Sequence, residues 1–219
     1  MSPDYVWHLE DVLDLYAEPD DPRYPQVCFD ESPVQLTSET RHPLPARPGQ
    51  PARYDSEYQR EGTAHLFLFV QPLRGWRQVN VTAQRTKRDF AQQMRLLVDD
   101  YFPTAERIRL VVDNLNTHTP AALYGVFAPN EACRLTRKLE FHYTPKHGSW
   151  LNMAECELAV LAGQCLDRRI SAIDTLRAEI AAWQGQRNQH QTKIHWQFGT
   201  EVARVKLMNR PGFLGGSNI

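Results

Sequence analysis

The chain predicts an α/β fold, a mixed five-stranded sheet covered by helices on both faces, and three observations carry that prediction. "HLFLFV" (65–70) and "WRQVNVT" (76–82) flank the turn "QPLRG", and with the earlier "QVCFDESPVQLT" (26–37) they make a meander of strands. Beyond residue 86, helical apolar spacing alternates with short apolar runs, "RIRLVVD" (107–113) and "LEFHYT" (139–144), an order typical of parallel crossover units. The last part of the chain reads as helices, which supplies cover for the sheet.

Taken in order, residues 4–17 space Val6, Leu9, Val12, Leu13 and Tyr16 as one face of a helix that "PDDPRYP" ends. The strand at 26–37 is interrupted or bulged at Pro33, because proline cannot donate to a ladder. Residues 38–63 form a Pro/Arg-rich insertion without apolar periodicity, too long for an ordinary connection. Thr86 and Asp89 form a capping box ahead of Phe90, Met94, Leu97, Val98 and Tyr101, with Asp99 and Asp100 off that face. The strand at 76–82, this helix and the strand at 107–113 form a crossover unit, which demands a parallel pairing. A short helix follows near 119–127, Ser149 caps a helix running to about 166, and Ser171 with Asp174 caps one carrying Ile173, Leu176, Ile180 and Trp183. There are no internal repeats.

Composition narrows the class. A chain of 219 residues suits one domain, and an apolar fraction of 42% excludes a disordered one. No apolar run reaches the eighteen or so residues of a membrane span, and the N-terminus has no basic segment leading into an apolar one, so the expectation is a soluble, cytoplasmic protein. Cys28, Cys133, Cys156 and Cys165 form no CxxC pair and read as reduced core fillers. With 25 basic against 26 acidic residues, the surface as a whole is not built to grip nucleic acid. Local basic tracts exist all the same: Arg41, Arg47, Arg53 and Arg60 in the insertion, and Lys146, His147, Arg187, His190, Lys193 and His195 later.

Three acids interrupt apolar contexts: Asp30 closes "VCFD", Asp113 closes "LVVD", and Glu155 lies in "SWLNMAECELAVLAGQC". A carboxylate at the edge of a core is costly unless paired, hydrogen-bonded or metal-bound, and several converging would call for a divalent cation. Duller readings are open for each: a turn cap for Asp30 with Glu31, an Asx-turn for Asp113, an exposed helix position for Glu155. On a helical wheel Glu155 and Glu157 lie at opposite margins of the apolar stripe, and periodicity does not choose between them.

The stretches "CFDESPVQL", "GTAHLFLFV", "VVDNLNTHTPAALYGVF", "HYTPKHGSWLNMAECELAVLAGQCLDRRI" and "HWQFGTEVARVKL" resemble the catalytic domain of bacterial insertion-sequence transposases of the 630 type, relatives of the mariner transposases. The resemblance runs from about residue 5 to 208 and implies a ribonuclease H-like fold over 26–208, preceded by a linker helix in 1–25 and followed by a flexible tail at 209–219. By motif match it places the catalytic acids on Asp30, Asp113 and Glu155, demotes Glu157 to a structural role, and implies two Mg²⁺ or Mn²⁺ ions held by the triad for DNA cleavage and strand transfer.

Around the triad, Lys146 and His147 are expected at DNA phosphate, and Asn114, Asn116 and His118 behind Asp113. Trp150 reads as core rather than as a base-stacking platform. The insertion at 38–63 is similar in position to a clamp in mariner relatives. Its prolines predict an extended arm, loosely ordered when the protein is alone, that offers Arg47 and Arg53 to phosphate and reaches a partner in an active homodimer. "APNEACRLTRKLE" lengthens the spacing between Asp113 and Glu155 relative to mariner relatives and reads as a surface helix.

Family members resemble a larger architecture with helix-turn-helix segments, and no such unit precedes Asp30 here. The chain is therefore expected to be a catalytic fragment or truncated product, associated with the nucleoid and acting on transposon ends and target DNA, but binding transposon ends with little sequence selectivity by itself. The rival expectation is a catalytically idle remnant that binds DNA or pairs with a full transposase; a nuclease acting on RNA-DNA hybrids is a third.

Overall fold

The computed structural model describes residues 2–41, 44–51, 53, 55–115 and 117–208. The chain runs α1 (Pro3–Ala17), β1 (Gln26–Glu39), β2 (Tyr58–Gln71), β3 (Trp76–Thr82), α2 (Lys87–Leu96), β4 (Ile108–Val112), α3 (Pro120–Tyr124), α4 (Pro129–Lys138), β5 (Leu139–Tyr143), α5 (Met153–Gln164), α6 (Ile173–Gln189) and α7 (Thr200–Met208). The strands form one mixed sheet in the order β3-β2-β1-β4-β5. This is the ribonuclease H-like arrangement.

The crossover through α2 does make a parallel pairing, but β4 joins β1 and not β3. The strand patterns explain the difference. β4 is buried at every position and suits the interior of a sheet, whereas β3 alternates buried with half-buried residues and suits an edge. The meander leaves one edge of β1 open, and β4 pairs with it over Gln26–Arg109 to Cys28–Val111.

β1 and β2 are longer than their apolar runs. They pair antiparallel from Cys28–Val70 to Glu39–Tyr58, with a bulge at Leu36/Thr37, not at Pro33. Pro33 stands in register opposite His65, on a stretch that β4 does not reach, so its missing N–H costs no second ladder. At the bulge the Thr37 N–H turns out to the Ile170 carbonyl at 2.9 Å.

The described residues of the insertion pair as a hairpin, where its prolines predicted an extended, loosely ordered arm. Paired bonds join Leu44 with Arg53 and Arg47 with Gln50 at 2.8–3.0 Å, and Gly49 takes φ +77° at the tip. Pro45, Pro48 and Pro51 each follow a bridging residue and none occupies a bridging position, so the prolines remove no donor the hairpin uses. Arg169 fixes the base through Glu39, the Asp55 carbonyl at 2.6 Å and the Tyr58 ring. The tail at 209–219 lies outside the described residues.

Two cores sandwich the sheet. Cys28, Leu66, Leu68, Val70 and Val111 pack with α1, α5, α6 and α7, and Val27, Phe29, Phe67, Phe69, Leu110 and Val112 pack with α2, α3 and α4. α1 buries Leu9, Val12, Leu13 and Leu15 in the first of these, so the segment expected as a linker is a structural part of the sheet's cover. The Thr86–Asp89 capping box is present. Two other caps differ from expectation: α5 is capped by Asn152 after a 3₁₀ turn at Ser149–Leu151, and α6 begins after Ala172 without a side-chain cap. Of the cysteines, Cys28 and Cys165 are buried fillers, Cys133 is half-buried, and Cys156 is exposed.

Candidate active site

Cys28 of β1 and Val111 of β4 are register partners, and both pack on the face that α5 covers. Side chains two residues on return to the same face. Asp30 and Asp113 are those residues, one within β1 and the other just past the carboxyl end of β4, where α/β sheets place their chemistry. Glu155 sits in the first turn of α5, over the same face.

Asn152 sets the position of that turn. Its Oδ1 accepts from the Ala154 N–H at 3.1 Å as the helix cap, and its Nδ2 donates to the Phe29 carbonyl at 2.8 Å, immediately before Asp30. Tyr16 of α1 adds a second tie, donating to the Leu151 carbonyl at 2.8 Å beside the Cys28 thiol. Neither residue was singled out from the sequence. The signal available for Asn152 was its Asx character directly before an apolar helix, masked by the serine three residues earlier.

Asp30 is buried, and that burial pushes its carboxyl up to about 7, with the charges of Asp113 and Glu155 adding to the shift and the Glu31 N–H opposing it. Asp113 and Glu155 are therefore near enough for their charges to act on Asp30. Among the described residues, however, no three His, Cys, Asp or Glu side chains are gathered closely enough to chelate an ion. Like charges repel, which opposes a closer approach of the three carboxylates.

His118, expected behind Asp113, is there. Its Nδ1 contacts Asp113 Oδ1 and its Nε2 lies 3.1 Å from Glu31 Oε1, while the ring stacks on Phe90 and meets Phe29 edge-on. Burial draws its pKa down, but the hydrogen bonds and charges of the two carboxylates outweigh this and raise it to about 9. Glu31 is thus a fourth acid of the region, on the opposite face from Asp30, with Oε2 buried and unpartnered among the described residues. Strand alternation could have found it, since Asp30 and Glu31 must point to opposite sides.

Glu157 is settled by its partners. It is buried, takes a bidentate pair from Arg187 at 2.7 and 3.1 Å, and lies 2.8 Å from Arg77 Nε, which approaches off its N–H direction as an ion pair and not a hydrogen bond. Arg187 is thereby consumed in structure and is not a free basic group.

The other predicted residues lie as follows. Lys146 and His147 are exposed in the loop before α5, His147 at φ +65°. The next residue, Gly148, has room for nothing larger: a Cβ there would meet Pro145 Cγ at 2.5 Å. Asn114 is exposed and Asn116 falls outside the described residues. Arg47 and Arg53 are exposed on the hairpin, which begins beyond Glu39, about 30 Å of extended strand from Asp30, so the structure does not bring them to the acids. Trp150 is not core: it is 45% exposed.

A mixed sheet with two aspartates on adjacent strands and a glutamate on the covering helix defines a class, and residues 25–177 match the family described as DDE superfamily endonuclease. The chain belongs to that family. Among solved structures it is similar to the Mos1 mariner paired end complex with Mn, at 16% identity and TM-score 0.57, covering 88% of this chain and 58% of that one. It is likewise similar to a pre-cleavage Mos1 transpososome, at 15% identity and TM-score 0.56, covering 89% and 63%, and to the Mos1 Strand Transfer Complex, at 15% and 0.57, covering 89% and 62%. At these identities the likeness is one of fold, and the chain spans about three fifths of the length of those proteins. No curated protein matches it.

Proposed function

We propose that the chain is the catalytic domain of a DNA transposase of the insertion-sequence 630 type, cutting and joining DNA by in-line phosphoryl transfer at Asp30, Asp113 and Glu155. The observation that carries the reading is the placement of two aspartates two residues beyond a parallel register pair, with Glu155 facing them from the first turn of α5 and acting on Asp30 through its charge. The donors suit a hard divalent ion in type, being carboxylates alone, and burial disfavours the ionised form of Asp30 in the absence of a positive partner. Two Mg²⁺ or Mn²⁺ ions held by the three acids would supply Lewis acidity to the attacking and leaving oxygens of the scissile phosphate.

The chain's own residues do the rest. The sheet and Asn152 hold the acids on rigid supports, and His118 fixes one oxygen of Asp113 and leaves the other free. Lys146 and His147 stand at the same end and can hold phosphate. No serine, cysteine or tyrosine nucleophile is required. On this reading residues 26–208 are the catalytic unit, the hairpin between β1 and β2 is a clamp to a second copy or to DNA, and the protein works as a homodimer on transposon ends and target DNA in the cytoplasm. Among the described residues no helix is long and apolar enough to cross a membrane.

The test is nicking of supercoiled plasmid and of transposon-end DNA with Mg²⁺ or Mn²⁺. Wild type is expected to nick and Asp113→Ala to lose at least a hundredfold in rate. Nicking unchanged in Asp113→Ala, or absent from wild type with both metals, overturns the reading.

A further inference from the structure

A sizeable cleft lies beside the loop that leads into α5. It measures about 730 Å³ and opens between α1, the loop before α5, the 194–198 segment and α7. Its character is aromatic: the Trp150 and Trp196 rings lie nearly parallel, 19° apart with centroids at 6.4 Å, and Phe198 meets Trp150 edge-on at 5.6 Å. Trp196 is fixed from behind, donating to the Phe198 carbonyl at 2.7 Å and packing on Tyr16. Trp150 has no such cover, although an exposed indole loses the benefit of burial.

Around the rings stand His147, His195 and Lys206, the last with its ammonium 4.9 Å from the Phe198 centroid. Among the described lining residues none is acidic. Flat faces bordered by donors and cations and free of carboxylates complement one chemistry, a planar base carrying a phosphate. The cleft and the candidate site share a stretch of chain, because His147 and Trp150 of the cleft and the Asn152 cap of the Glu155 helix belong to a single loop.

We propose that this cleft binds an unpaired nucleotide of the DNA strand engaged at the carboxylates, with its base stacked on Trp150 and its phosphate held by Lys206, His147 and His195. The proposal rests on the DNA-processing reading above and adds to it a site for a base taken out of the duplex. Ribose or deoxyribose is not distinguished by stacking; the strand is DNA because the site it adjoins acts on DNA in that reading.

The experiment compares binding of the whole chain, without divalent ions, to a fluorescein-labelled thymidine octamer and to an abasic octamer with the same phosphates. The expected result is about tenfold tighter binding of the base-bearing strand, lost in Trp150→Ala, largely kept in Trp150→Phe, and a weakening of both strands alike in Lys206→Ala. Equal affinity of wild type for the two strands overturns the proposal without recourse to any variant. So does a preference that survives in a folded Trp150→Ala, or concentration-dependent self-association that occupies the cleft in place of the strand. Asp113→Ala is expected to stop nicking and keep the base preference. Failure of nicking alone therefore counts against the endonuclease reading, and failure of the base preference alone against the cleft.

Discussion

At the scale of single residues, two glutamates separated by one position do opposite work. Glu155 is half-buried and adds like charge to Asp30, whereas Glu157 is enclosed and neutralises Arg77 and Arg187. Glu155→Gln is therefore expected to leave the urea midpoint unchanged or slightly raised while abolishing nicking. Glu157→Ala strands a fully buried guanidinium and is expected to cost about 3–5 kcal/mol in the same titration. Equal loss of stability in the two variants would contradict the assignment. The aspartates were legible in the sequence, because each ends or interrupts an apolar strand where an uncompensated carboxylate is expensive. Helical periodicity did not separate the glutamates, since both lie at the margins of the same helix; the motif match chose Glu155, and the arginines that engage Glu157 come from β3 and α6.

Elements are placed by their ends, and α5 shows how. Asn152 caps the helix and also holds the β1 backbone at Phe29, so one side chain sets the distance between the strand of Asp30 and the helix of Glu155. Asn152→Ala removes the cap, worth about 1 kcal/mol, and leaves a buried carbonyl without its donor, a further cost of about 1–3 kcal/mol. Nicking is expected to fall more than the folded fraction does, and Asn152→Asp, which keeps the cap but not the donor, is expected to lie between. Activity that tracks the folded fraction alone would reduce Asn152 to a helix cap. The sequence located α5 but put its cap at Ser149, because a serine before apolar spacing reads as a helix start whether the first turn is α or 3₁₀. For the insertion the error ran the other way. Its prolines suggested an extended arm, and only the pairing of Leu44 with Arg53 and Arg47 with Gln50 reveals a hairpin.

Across the whole molecule, the two ends of the described chain close on each other. Arg204 of α7 makes a bidentate pair with Glu10 of α1 at 2.7 and 3.1 Å, and Thr200 donates to Asp14 at 2.6 Å. The hydrogen bond from Arg204 holds the Glu10 carboxyl below its ordinary 4.5, with its charge assisting and burial opposing. A depressed carboxyl contributes stability that is present above its unfolded pKa and lost as pH falls through the folded value. Hydrogen exchange of α7 amides is thus expected to show protection at pH 6 that declines below about pH 4.5, and Glu10→Gln to show the weaker protection at both pH values. Protection indifferent to both would remove this pair from the docking of α7, which also walls the aromatic cleft. By itself the sequence determined the five strands, most of the helices, the Thr86 capping box and the two strand-borne aspartates, because burial and capping leave a local period. Only the tertiary structure decided that β4 lies against β1, that Arg77 and Arg187 engage Glu157, that α1 is part of the core, and that Trp150 stands at the surface. Those outcomes depend on which open edge a strand meets and which distant charge or ring comes to rest beside a residue, and no local period encodes either.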